Sequence, residues 1–273
     1  MKEILTKEDY IHNHEYLSFT RVSAFFKCEA AAAAGYRIPS TPAMLVSSYV
    51  DTYFSDELAD FKIEHPEIFN SKTGELKADF KKAEDLIRRI ENDEVFLEFT
   101  KGEKQRIMTG VIEGVPFKIR MDFYIPGVRI VDLKAMKDFK KIWSDDFRSY
   151  VSFIKAYNYD LELAIFQEIE FQNSNNRVPC YIAGITKEEP SDLDIFYIPQ
   201  EDLNEALNLV KRRLPRIKGI LDGKIAPQRC ENCAYCRMTK KARILNYEFA
   251  GLTGDELREE GIECDDPLVS KEK

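Results

Sequence analysis

The chain has 273 residues, 44% of them hydrophobic and 12% aromatic, which is enough apolar material for one large domain or two small ones without metals or disulfides. A formal charge of −8 excludes a general basic coat for nucleic acid, though it leaves room for a local basic cleft.

Residues 1–16 are polar and are expected to be loosely held. The stretch 17–37, LSFTRVSAFFKCEAAAAAGYR, predicts a helix capped by Ser18 or Thr20 and ended by Gly35. Residues 42–61 carry apolar side chains at 45, 46, 49, 50, 53 and 54, which is helical spacing. A loop with Pro66 and Gly74 follows, then a charged amphipathic helix over 77–102 whose charges form a solvated face. The period then changes to two. Residues 106–136 predict three strands, with turns at Glu113-Gly114 and Pro126-Gly127. A long helix is expected over 145–171, strands over 178–188 and 193–199, and a last helix over 200–223 kinked at Pro215. The remainder is cysteine-rich and then acidic. This order suggests an α/β fold, a central mixed β-sheet flanked by helices. The domain limits expected are a flexible 1–16, a folded 17–245 closed by the cysteine-rich segment, and an acidic tail over 246–273.

The run FKIRMDFYIPGVRIVDLKAM (117–136) places charged residues in apolar strands. Side chains alternate faces, so Lys118, Arg120 and Asp122 share one face, and Asp132 and Lys134 share one in the next strand. If the strands pair, Asp122 and Asp132 converge. Carboxylate oxygens suit Mg²⁺ or Mn²⁺, and a lysine two residues on can orient water or stabilise charge on a phosphate. An exposed, salt-bridged hairpin is the plain alternative. Asp132 lies among Ile130, Val131 and Leu133, however, where an unpartnered carboxylate is costly.

These residues resemble the core of the PD-(D/E)XK nuclease superfamily, with a restriction-endonuclease-like fold. More closely, the chain resembles RecE-type (exonuclease VIII-like) phage and prophage exonucleases, over roughly 17–240. The resemblance rests on LSFTRVSAFFKC, MLVSSYVDTYF, the pattern from Gly110 to Asp122, VDLK and CENCAYC, in that order. It implies Mg²⁺- or Mn²⁺-dependent hydrolysis of linear duplex DNA, with Asp51, Asp122 and Asp132 as metal ligands and Lys134 as the catalytic lysine. RecB-type relatives usually carry histidine where Asp51 stands. They also carry Gln-x-x-x-Tyr on the helix after the lysine, where this chain has Glu162 and Phe166; Glu162 is thereby a candidate partner of Lys134 or the metal. The resemblance further implies a role in DNA recombination, with a RecT-type annealing protein as partner, and leaves homo-oligomerisation open. A non-catalytic DNA-binding module and a restriction or repair endonuclease remain the rival readings.

Cys230, Cys233 and Cys236 make two C-x-x-C steps, a metal signal that needs a fourth ligand, for which Cys28 is the candidate. Nuclease relatives of the AddB type join such cysteines through a [4Fe–4S] cluster, with a wider spacing in the trio. Iron–sulfur, Zn²⁺ and free thiols all stay open here. Cys180 reads as core and Glu113 as a turn residue. His12, His14 and His65, the only histidines, fall in no constellation. No nucleotide-binding glycine loop occurs. KRRLPRIKG (211–219) is the densest basic region and a candidate for DNA phosphates. With no signal peptide or apolar span in the sequence, the expected location is cytoplasmic and no membrane partner is expected.

Overall fold

The computed structural model describes residues 5–144 and 147–264. The chain falls into two compact units. The first comprises Met1–Asn13, Pro39–Gly110 and Lys118–Asn208, and the second His14–Ile38, Val111–Phe117 and Leu209–Lys273.

In chain order the helices are α1 (Lys7–His12), α2 (Phe19–Lys27), α3 (Glu29–Ala33), α4 (Pro42–Phe54), α5 (Leu58–Glu64), α6 (Ala78–Glu91) and α7 (Glu94–Phe99). Strands β1 (Glu103–Ile112), β2 (Val115–Ile125), β3 (Arg129–Met136), β4 (Ile142–Ser144) and β5 (Ser149–Val151) come next. They are followed by α8 (Phe153–Ala156), α9 (Tyr159–Ser174), β6 (Cys180–Thr186), β7 (Leu193–Ile198), α10 (Gln200–Leu221), α11 (Ala234–Thr239) and α12 (Gly254–Glu259).

The main sheet has the order β1-β2-β3-β6-β7. β2 and β3 are antiparallel, β3 and β6 parallel, and β6 and β7 antiparallel, so the sheet is mixed as expected. The parallel pair needs a crossover, which α8 and α9 supply. Val131 and Leu133 of β3 join Val46, Tyr49, Val50 and Phe54 of α4 and Phe80, Leu86 and Ile90 of α6 in one buried cluster. Asp132 and Lys134 alternate with these along β3, and Lys134 reaches α9.

Several predicted helices divide in the structure. The 17–37 helix breaks at Cys28, whose backbone is extended (φ −165°, ψ 111°) between α2 and α3. The 42–61 helix divides into α4 and α5 at Asp56, which has φ 64°. The 77–102 helix divides at Asp93, whose side chain caps α7 by accepting from Phe96 N. Of the 145–171 helix, residues 145 and 146 lie outside the described residues, 149–151 form β5, and the regular helix starts at Tyr159. The three-strand meander matches. Its Glu113-Gly114 turn has positive φ at both residues (47° and 71°), the geometry that joins two adjacent strands tightly, and Glu113 is exposed there. α10 is continuous through Pro215.

In the second unit Glu29 receives a two-pronged ion pair from Arg216, both contacts 2.7 Å, and accepts from Gln228 N. Arg216 is therefore committed within the protein, whereas Arg212, Arg213 and Lys218 of the same basic run are exposed. The chain after 246 packs back as far as the buried Cys264: Arg229 N donates to Cys264 O, and Gly254 N donates to Cys230 O. A Cβ on Gly254 would lie 2.0 Å from Arg229 O, so only glycine fits this approach. No helix among the described residues is long and apolar enough to cross a membrane.

Candidate active site and cysteine cluster

The first unit gathers the charged residues singled out in the sequence. The β2–β3 pairing runs from Ile125↔Arg129 to Phe123↔Val131. Beyond it, Asp122 Oδ2 accepts from Leu133 N at 2.9 Å, so a side chain takes the place of a strand partner. Gln105 Nε2 donates to Asp122 Oδ1 at 3.3 Å. On β3, Asp132 has only 3% of its surface exposed, and its Oδ2 lies 2.7 Å from Lys134 Nζ. Lys134 Nζ is also 3.1 Å from Glu162 Oε2. Glu162 sits in the first turn of α9, where a carboxylate is favoured by the helix dipole. Tyr159, also in that turn, puts its ring 5.0 Å from Lys134 Nζ.

Asp51, Asp122, Asp132 and Glu162 thus set four carboxylates against Lys134, with Arg120 nearby. Burial raises Asp51 to about 8, and the negative charge of Asp122 adds to the rise, while Lys134 and Arg120 oppose it. Burial likewise pushes Asp132 well above the usual carboxylate range; Lys134 opposes that, and Glu162 and Asp122 reinforce it. Glu162 is raised mainly by burial. Burial alone would lower Lys134, but Asp132, Glu162 and Asp122 together hold it well above its ordinary value. Burial is the first cause at the three carboxyls, and the local excess of negative charge is what holds Lys134 protonated against it.

Among the described residues, the buried Asp51 Oδ1 has no hydrogen-bond partner, and the buried Asp132 Oδ2 has the Lys134 ammonium at 2.7 Å as its close polar neighbour. An orphaned hard oxygen on Asp51, beside further carboxylates in a negatively charged pocket, fits a divalent cation.

Three neighbours of the site were not legible as such. Tyr159 belongs to none of the sequence motifs. Gln105 carries no motif. Tyr10 of α1 was assigned to the loose N-terminus, yet its ring lies 5.1 Å from Lys118 Nζ and 5.5 Å from the Arg120 guanidinium. Lys118 Nζ also donates to the carbonyls of Tyr10 and Asn13, both at 2.5 Å. A signal existed: Thr6 and Asp9 form a capping box at the start of α1. Phe166 is buried in the body of α9.

In the second unit the Sγ atoms of Cys28, Cys230, Cys233 and Cys236 all lie within 4.8 Å of one another. Cys28 and Cys236 are 3.6 Å apart, Cys230 and Cys236 3.9 Å. The break between α2 and α3 is at Cys28 itself, the residue that joins the trio. The amides of Cys233 and Cys236 donate to Cys230 Sγ (3.3 Å) and Cys233 Sγ (3.4 Å). Cys180 is fully buried in β6, apart from the cluster.

Residues 18–239 match the profile of a PDDEXK-like domain of unknown function (DUF3799). The chain therefore belongs to that family, within the PD-(D/E)XK nuclease superfamily. A protein of Eubacterium rectale, described with its crystal structure as a "Putative exonuclease", superposes with a TM-score of 0.86 at 39% identity. The match covers 92% of this chain and 100% of that one. No curated protein matches the chain by sequence.

Proposed function

We propose that the protein is a divalent-metal-dependent DNA exonuclease. The observation that carries this reading is the set of four carboxylates around one ammonium, Asp132 buried and the other three half-buried, with Asp51 Oδ1 left without a hydrogen-bond partner and Asp132 Oδ2 held by Lys134. On this reading Asp51, Asp122 and Asp132 hold Mg²⁺ or Mn²⁺. When bound, such an ion polarises the phosphodiester and makes a water molecule acidic enough to attack it. Lys134 stays protonated through Asp132 and Glu162 and sets a fixed positive charge where the phosphate gains negative charge. Glu162 holds the lysine in place, and the Tyr159 ring covers it. The description of the E. rectale protein favours exonuclease action, and the sequence resemblance to RecE-type enzymes favours linear duplex DNA as substrate, phage or prophage recombination as setting and an annealing protein of the RecT kind as partner.

The test is hydrolysis of end-labelled linear duplex and closed circular duplex with Mg²⁺, by wild type, Asp132→Ala and Lys134→Ala. Shortening of the linear duplex by wild type alone, with the circle spared, is expected. Cutting of the circle would move the assignment to an endonuclease. DNA binding without hydrolysis by wild type would leave a non-catalytic module.

The four cysteines are assigned to a single tetrahedral ion, for which Zn²⁺ is suited. Metal–sulfur bonds of about 2.3 Å place four thiolates about 3.8 Å apart around one ion. A cubane would spread its thiolates to about 6 Å. The separations of 3.6 and 3.9 Å favour the single ion. Metal analysis should find one zinc per chain. Four irons per chain with the visible absorption of a cluster would overturn this assignment.

A further inference from the structure

The segment between β3 and α9 holds side chains that the chemistry above does not use. Its base is fixed. Phe139 stacks on Phe153 (5.4 Å between centroids, 30°), and both meet Phe196 of β7 edge-on at 5.0 and 5.2 Å. Gly184 makes room, since a Cβ there would come within 2.9 Å of the Phe139 ring. Outside this base the pattern reverses. Trp143 on β4 is 51% exposed and Tyr150 on β5 is 67% exposed, and their rings meet edge-to-face at 5.4 Å and 73°. Phe147, between the two strands, is exposed as well.

Large aromatic side chains left in water on an anchored hairpin mark a surface that is covered in use. Two observations indicate what covers it. Lys137, Lys140, Lys141 and Arg148 are all exposed in the same stretch, which also holds Asp138, Asp145 and Asp146 in sequence; Lys140 is paired with Glu188 at 3.2 Å, which leaves Lys137, Lys141 and Arg148 to face a ligand. Further along, Tyr157 is exposed and lies 5.7 Å from Tyr159, the residue whose ring sits against Lys134. Aromatic faces therefore continue outward from the neighbour of Lys134. Cations for phosphates and flat rings for bases are the two parts of a surface for unpaired nucleic acid.

We propose that the β4–β5 hairpin, with Tyr157, is a stacking platform for unpaired bases of the DNA strand. Trp143 and Tyr150 receive the bases, and Lys137, Lys141 and Arg148 meet the phosphates. This inference rests on the nuclease reading and adds to it the form in which the strand is held: bases turned out of the duplex and onto protein rings.

Trp143 is the only tryptophan in the chain, so its emission reports this hairpin alone. The experiment titrates wild type with an end-labelled oligothymidylate of about 15 nucleotides, long enough to span such a groove. Ca²⁺ replaces Mg²⁺ to hold back hydrolysis. Label anisotropy and Trp143 emission are read together. The expected result is saturable quenching of Trp143 at the anisotropy midpoint. Tyr150→Ala, at an exposed position, should weaken that midpoint at least about fivefold. Anisotropy that saturates while Trp143 emission stays constant would overturn the platform and leave the nuclease reading intact. No binding by either signal would also overturn the platform; the nuclease reading falls only if duplex hydrolysis with Mg²⁺ fails as well.

Discussion

Replacing Asp51 with asparagine should stabilise the metal-free protein, and only above acid pH. The Asp51 carboxyl is raised to about 8, first by burial and then by Asp122, and its Oδ1 has no partner. In the unfolded chain the same group ionises near about 4. Below that pH both states hold the proton, and the residue has no effect on the balance. Between about pH 4 and 8 the unfolded chain gives up a proton that the folded one keeps, so stability falls by about 1.4 kcal/mol per pH unit. Above about 8 the loss is complete, with a ceiling of about 6 kcal/mol. Relaxation and water entry bring the working expectation to about 2–4 kcal/mol. Asparagine keeps the shape and removes the charge. In buffer freed of Mg²⁺ and Mn²⁺, the variant and wild type should melt together at pH 4. By pH 8 the variant should melt about 5–10 °C higher. Added Mg²⁺ or Mn²⁺ should raise wild type and leave the variant nearly unmoved, closing the gap. Thermal melts across pH, with and without metal, read all of this. A variant less stable than wild type at pH 8 without metal would refute the argument, as would a gap equal at pH 4 and 8.

Lys134→Met should abolish hydrolysis and leave Asp132 and Glu162 without their cation; melts at pH 8 without metal should show a loss of about 3 kcal/mol. Metal affinity should rise with pH, because the ion must displace the proton on Asp51. Titration calorimetry at pH 6 and 8 should differ by about 50-fold or more. Arg216→Ala strands the buried Glu29 and should cost about 3–5 kcal/mol in urea unfolding, a loss that Glu29→Gln in the same chain should partly restore. Gly254→Ala drives a Cβ into the Arg229 carbonyl and should lower stability by about 2–4 kcal/mol, measured the same way.

The sequence carried the meander because apolar and charged side chains alternate from Phe117 to Phe123 between two turn signals, and it exposed Asp132 because a lone carboxylate among Ile130, Val131 and Leu133 demands a partner. The i, i+2 relation of Asp132 and Lys134 then followed from strand geometry, whereas Glu162 came into view only through the resemblance to RecB-type nucleases. Cys28 was reachable by counting ligands, since three sulfurs leave a tetrahedron open. What stayed hidden was set by tertiary contact. The break at Cys28 contradicts the strong helix propensity of the alanines around it. The strands β4 and β5 are three residues each, too short for any period to register. Gln105 and Tyr159 matter through what they face, which their own neighbours in the chain do not encode.

The hydrogen bond from the Leu133 amide to Asp122 has a further consequence. A carboxylate that completes a strand's backbone hydrogen bonding cannot step back without leaving a peptide N–H unanswered. Asp132 is restrained in the same sense by its ion pair with Lys134. A pocket with such stiff walls discriminates by ionic radius. Mg²⁺ and Mn²⁺ take oxygen ligands at short, regular distances, whereas Ca²⁺ asks its ligands to spread. On the proposed reading, the selectivity of the site for small cations is therefore written into the main chain of the sheet as much as into the acidic residues themselves.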